Sequence, residues 1–230
     1  MTRNRRPFTL RTGVLKLTMI GSLCLLSGCN YAILLGYLIG GPPSIEPDFT
    51  AQLGSGKDMK NNGVTVAVVC TSPEELKFSY DELDNLVAEA IALQLGEKKI
   101  SVILPDQVRA WLDKNRDWTS PKEIGEAFGT TYVIHVDILD YSLFEKDSST
   151  LYRGKTECEI NVWEMAKDGS GDGEKIYSKQ HSSVFPLRIP RSSQETTLER
   201  FKKEYLYRLS YEIGRHFFEY HVGDDISDAT

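Results

Sequence analysis

The chain has 230 residues, 40% of them apolar and 26% charged, with a formal net charge of −6. That length suits one well-buried domain plus a leader, and two full domains would be crowded. The charged residues ahead of Cys29 are all basic (Arg3, Arg5, Arg6, Arg11 and Lys16), so the remainder carries 22 bases against 33 acids and stands at −11. Such a body lacks the clustered Lys and Arg that neutralise phosphates, so no nucleic-acid partner is expected, and an anionic membrane would repel it weakly.

A basic start over residues 2–16, an apolar run over 17–26 and small residues after it are the layout of a secretory signal peptide. The run Leu26-Ser27-Gly28-Cys29 resembles the lipobox of bacterial lipoproteins. The resemblance implies cleavage before Cys29, acylation of its thiol with a palmitate-type chain, and acylation of the new amino terminus. Residues 1–28 are then a leader. An uncleaved transmembrane helix over 17–39 is the weaker account, because Ser22, Ser27, Asn30 and several glycines interrupt it.

After cleavage, Tyr31, Ile33, Leu34, Leu35, Tyr37, Leu38 and Ile39 form an apolar foot too short to span a bilayer, which is expected at the membrane interface. Two or more acyl chains give stable attachment where one is marginal. Lipoprotein sorting, carried by the same resemblance, turns on the residue after the cysteine. Asn30 there, in place of aspartate, favours the periplasmic face of the outer membrane over the inner membrane.

Residues 40–63 are rich in Gly, Pro, Asn and Ser without a sustained period, so 29–63 reads as lipidated end, foot and flexible tether. The domain is expected over 64–222 and an acidic, frayed tail over 223–230. The run VTVAVVC (64–70), bounded by Asn-Gly and Ser-Pro, predicts a strand covered on both faces. Two helix starts follow, at Ser72-Pro73-Glu74-Glu75 and Ser79-Tyr80-Asp81-Glu82, leading into a stripe of Leu83, Leu86, Val87, Ala90, Ile91, Gln94 and Leu95 that closes near Gly96. Residues 100–104 predict a second strand and 106–113 a helix. Ser120-Pro121-Lys122-Glu123 starts another helix, which Gly129 stops.

A third strand over 132–143 places Tyr132, Ile134, Val136 and Ile138 on one face. The fourth, over 151–163, alternates Gly154, Thr156, Cys158, Ile160 and Val162 inward with Arg153, Lys155, Glu157, Glu159 and Asn161 outward. The polar turn EKDSS between them predicts an antiparallel hairpin. A fifth strand is expected over 176–185 and a helix over 194–220 with Leu198, Phe201, Tyr205, Leu209, Ile213 and Phe217 buried. The order β-α-β-α-α-β-β-β-α argues for a single α/β domain with a mixed, about five-stranded sheet flanked by helices. Cys70 and Cys158 sit in strand runs and read as buried thiols, although an envelope compartment would permit a disulfide.

The stretch PKEIGEAFGTTYVIHVD (121–137) resembles a segment of an envelope group that includes the curli-secretion (CsgG-like) lipoproteins and the lipoprotein activators of peptidoglycan synthases, whose domain is similar to the amino-terminal domain of TolB. Ala127, Gly129, Thr130, Thr131, Tyr132 and Val133 carry the match. A glycine common in that group's third strand is replaced here by the continuation His135-Val136-Asp137. The resemblance implies an α/β domain that works in envelope assembly.

His135 and Asp137 share one strand face, the spacing of a base beside an orienting carboxylate, though such pairs more often belong to structure. His216 and His221 are five apart and miss the four-residue step of helical metal ligands. The loop 167–174, with Asp168 and Asp172, lacks calcium-loop ligand spacing and reads as a hairpin turn. No P-loop, dinucleotide fingerprint, G-x-S-x-G or paired CxxC is present, so neither cofactor nor metal is expected. Three functions follow: a non-enzymatic lipoprotein that binds another envelope protein or itself, a subunit of a curli-type secretion pore, and a hydrolase using His135 and Asp137. The charged outer face of the fourth strand counts against a lipid-facing pore.

Overall fold

The computed structural model describes residues 35–38, 41, 43–54, 56–166 and 172–221. The described residues divide into two units, one built on residues 45–220 and the other including those before Ile45 and His221. In the latter, residues 35–38 form a helical turn on which Leu35, Tyr37 and Leu38 are exposed. Leu26, Ser27, Gly28, Cys29, Tyr31, Ile33, Leu34 and Ile39 lie outside the described residues, as does the tail from residue 222. No helix among the described residues is long and apolar enough to cross a membrane.

The 45–220 unit is a mixed α/β domain. Its elements are α1 (Asp48–Leu53), β1 (Val66–Thr71), α2 (Glu74–Ser79), α3 (Leu83–Glu97), α4 (Pro105–Lys114), α5 (Pro121–Phe128), β2 (Tyr132–Phe144), β3 (Leu151–Met165), β4 (Gly173–Phe185), the short β5 (Arg191–Ser192) and α6 (Leu198–Gly214). The open five-stranded sheet runs β1-β2-β3-β4, with β5 paired to β3. β1 and β2 are parallel, joined through α2 to α5, and the remaining pairs are antiparallel.

The apolar run of β1 is explained by cover on two sides. Val66, Val68 and Cys70 enter the main core beneath α3 and α6, whereas Ala67 and Val69 enter a smaller core with Val108 of α4 and Ile124 of α5. The inward alternation read from the sequence holds on both long strands, with Ile134, Val136, Ile138, Cys158, Ile160 and Val162 all buried in the main core. On the opposite face the α4–α5 layer reaches β3 only at its end, where Trp163 and Met165 join the smaller core, and the rest of β3 and β4 presents a polar surface of half-buried Arg153, Lys155 and Glu159 and exposed Glu157, Gln180 and Ser182. On α5 the expected capping box is complete: the Ser120 side chain accepts from the Lys122 N–H, the Glu123 carboxylate takes the Ser120 N–H, and Gly129 ends the helix in the left-handed region at φ 59°.

Four expectations need correction. The tether read over 40–63 is not loose from Ile45 onward: α1 buries Phe49 completely, Met59 is also buried, and Lys57 pairs with Glu164 of β3. The domain therefore starts near residue 45, not 64. Residues 100–104 make one bridge, Val66 to Val102, because the chain turns into α4 at Pro105 before a ladder can extend. The single helix with two starts is two helices, and Ser72 caps neither, since Pro73 occupies the cap of α2 without a side-chain bond. The last helix is shorter than 194–220, with Thr197 accepting from the Arg200 N–H at its start. Cys70 and Cys158 are both buried and free.

Candidate functional site

The parallel register of β1 and β2 sets Val69 beside His135 and Thr71 beside Asp137. Strand alternation then turns Thr71, His135 and Asp137 to one face, at the end of β1 from which the chain leaves for α2. Thr71 Oγ1 donates to Asp137 Oδ1 at 2.9 Å and lies 2.8 Å from His135 Nε2. A hydroxyl has one proton, so with that proton on Asp137 the imidazole must give its Nε2–H to Thr71. The carboxylate expected to orient the base therefore holds the hydroxyl instead.

Trp118 meets the His135 ring edge-on at 6.5 Å between centroids. Burial is the main influence on His135 and lowers its pKa, outweighing Asp137 and Glu159, which favour the imidazolium. Across the ladder Asn161 is buried, and its Oδ1 has no hydrogen-bond partner among the described residues. The arrangement is a satisfied triangle beside an unsatisfied amide, with the imidazole held as a donor.

A second, richer cluster forms where β4, the sheet's edge, meets α6 and α1. Tyr177, Lys179, His181 and Ser183 alternate onto the inner face of β4, in register with Val162, Ile160, Cys158 and Thr156. Tyr177 Oη donates to Asp48 Oδ2 at 2.8 Å and lies 3.1 Å from His216 Nδ1, while Lys179 Nζ is 3.2 Å from the same carboxylate. His181 Nε2 approaches Glu212 Oε2 at 3.5 Å, and Arg208 pairs with the other Glu212 oxygen. The His181 and His216 rings meet edge to face at 5.5 Å.

Burial would raise the carboxyl of Glu212, but the neighbouring His181 and Ser183 and the bonded Arg208 outweigh it and hold the group below its usual range. Burial also opposes Asp48, where Tyr177, Lys179 and Gln52 prevail in the same way. His216 goes the other way: burial first, then the neighbouring His181, pull it down to about 4. A pocket of about 320 Å³ opens here, with Asp48, Lys179, His181, Arg215 and His216 in its lining. Among the described residues no group of three or more His, Cys, Asp or Glu is placed to hold a metal ion.

The expected His135 and Asp137 are thus brought together, through a threonine that no motif points to. The β4–α6 cluster escapes sequence reasoning altogether. Its one visible signal is the polar run Lys179, His181, Ser183 on the inward positions of a strand. His216 meets Tyr177 and Asp48. Most of the loop 167–174 lies outside the described residues.

No family model matches the chain, and no curated protein matches it. Solved structures do. A dodecamer of a PelC point variant from Paraburkholderia phytofirmans aligns at 7% identity and a TM-score of 0.44, covering 76% of this chain and 98% of that one. Lipoprotein GNA1162 from Neisseria meningitidis aligns at 14% identity and 0.39, covering 64% and 98%. The hypothetical protein CT253 from Chlamydia trachomatis gives 14% and 0.39, covering 67% and 97%. At these identities and scores the likeness is distant, and nothing about activity or partners passes from them to this chain.

Proposed function

We propose that the chain is a membrane-anchored envelope lipoprotein whose α/β domain binds another envelope protein, or a further copy of itself, without catalysing a reaction. The observation that carries this reading is Leu26-Ser27-Gly28-Cys29 placed after a basic and apolar leader. The likeness of residues 121–137 to the curli-secretion, peptidoglycan-synthase-activator and TolB group supports the envelope setting. Asn30 after the cysteine favours the outer membrane, with the domain on the periplasmic side.

The uncovered face of β3 and β4, with Glu157, Gln180 and Ser182 exposed, supplies a surface for a protein partner. Photocrosslinking residues placed at Glu157 and Gln180 in living cells should capture one envelope protein, or the chain itself, reproducibly. Absence of any adduct from both positions, with the protein correctly localised, would count against binding through this face.

The pore reading gains nothing from a sheet that is open and covered on one face by α3 and α6. One observation favours the hydrolase reading, the 2.8 Å approach of Thr71 Oγ1 to His135 Nε2. Against it stands the direction of the protons, which leaves the imidazole no lone pair toward the hydroxyl. His135→Ala should leave function in a complemented deletion strain intact. Its loss from a folded, localised variant would return the hydrolase reading.

A further inference from the structure

The mature chain is acidic overall, yet one groove reverses the sign. It measures about 740 Å³ and is lined by Lys98, Phe185, Arg191, Lys203, Glu204, Tyr207, Arg208 and Tyr211, four cations against one carboxylate. Arg191 pairs with Glu204 and Arg208 with Glu212, so these arginines are partly neutralised. Lys98 and Lys203 have no carboxylate partner among the described residues. Lys98 lies over the rings of Phe218 and Tyr211 at 5.1 and 6.0 Å, and Arg191 over Phe185 at 5.2 Å, so these cations rest on apolar surface.

Phe185 and Arg191 bracket a strap, Pro186-Leu187-Arg188-Ile189-Pro190. On it Leu187 is 58% exposed and Ile189 78%, and Tyr207 in the groove is 63% exposed. Arg153 fixes the strap by donating from Nη2 to the Arg188 carbonyl at 3.0 Å. Two aliphatic side chains held outward between prolines, with an arginine between them and a basic groove beside them, are costly in water. They suit an interface where the aliphatics enter the acyl boundary and the cations meet headgroup phosphates.

We propose that the strap 186–190 and the groove formed by Lys98, Arg191, Lys203 and Tyr207 dock on an anionic phospholipid bilayer, giving the domain a second membrane contact besides Cys29. A soluble acidic glycan does not call for the exposed Leu187 and Ile189, and a bilayer is favoured over an acidic protein because an acylated Cys29 already holds the domain beside one. The global repulsion expected from the net charge is overridden locally, since screening confines electrostatic interaction to about 8 Å at physiological ionic strength. The inference rests on the lipoprotein reading, because a lipidated Cys29 keeps this weak surface concentrated at the bilayer.

The test uses the full lipidated protein with Ile189→Cys carrying a polarity-sensitive fluorophore, reconstituted into vesicles of neutral phosphatidylcholine or of phosphatidylcholine with phosphatidylglycerol. The buried Cys70 and Cys158 are shielded from labelling. A blue shift and quenching by brominated acyl chains should occur in the anionic vesicles and not in the neutral ones, disappear in 1 M salt, and be abolished by Lys98→Glu with Lys203→Glu. A label at the exposed Ser182→Cys should stay in water throughout.

Identical emission from the Ile189 label in both vesicle types, with protein floating on both, would overturn the docking surface while sparing the anchor. Failure to float on neutral vesicles would instead indict the anchor. A blue shift on adding polyglutamate without lipid would assign the groove to an acidic polymer and overturn the proposal.

Discussion

Tyr177 Oη donates to Asp48 Oδ2 at 2.8 Å, tying the edge strand β4 to a helix 129 positions earlier in the chain. Next to this bond Phe49 is fully buried, with its ring 5.6 Å from Tyr132 and from Tyr177 and 5.9 Å from Phe217, each edge to face. Residues from Ile45 onward are thereby part of the domain's core. Phe49→Ala should cost about 3–5 kcal/mol, as expected for emptying a buried aromatic site. Urea unfolding measures it, and a loss below about 1 kcal/mol would show that α1 contributes little.

His216 sets a pH dependence. Between about pH 6.5 and pH 4 the unfolded chain takes up a proton that the folded chain refuses, so stability falls as the pH drops through that window. At full expression the loss is on the order of 3 kcal/mol. Asp48 and Glu212, both held below their usual range when folded, extend the decline as the pH falls further. His216→Gln should flatten the slope between pH 6.5 and 4, read from urea midpoints across that range. An unchanged slope would mean the imidazole charges freely in the folded protein.

Two glycines separate rigid from adaptable packing. A Cβ on Gly154 would land on the Tyr205 ring, and Tyr205 is fixed by a 2.7 Å bond from its hydroxyl to Thr156 Oγ1 and by neighbouring rings. The nearest atoms to a Cβ on Gly125 all belong to the Met165 side chain, which can swing aside. Gly154→Ala should therefore cost at least about 1–3 kcal/mol, and Gly125→Ala clearly less. Thermal unfolding of the two variants decides it, with equal losses contradicting the difference.

The two thiols of the domain should be silent in the native state. Burial pushes the Cys70 thiol well above its ordinary value and Cys158 up to about 12. A chromogenic disulfide reagent should find no reactive thiol in the folded protein and two after denaturation without reductant. No release in denaturant would mean the pair had formed a disulfide.

The sheet is legible in the sequence because its side chains obey alternation. Ile134, Val136, Cys158 and Ile160 take their faces from the pattern alone, and Ser120 with Glu123 announces α5. Helix α1 is not legible: six residues behind a proline carry no period, and the helix exists because Phe49 docks in a core made elsewhere. Residues 100–104 look like a strand by composition, yet Pro105 leaves room for one bridge. His135 and Asp137 are visible from their spacing, but Thr71 joins them only through parallel pairing across 64 and 66 positions. The β4–α6 cluster draws on Asp48, Lys179, His181, Glu212 and His216, each ordinary in its own stretch, and no local pattern assembles them.

Anchoring through Cys29 is the claim on which the functional account rests. The direct measurement is Cys29→Ala expressed beside the unaltered chain in cells fed a clickable palmitate analogue. The account predicts label on the unaltered protein, and on the variant no label and a precursor still carrying residues 1–28. A variant that is still labelled, or cleaved to the mature size, would contradict it.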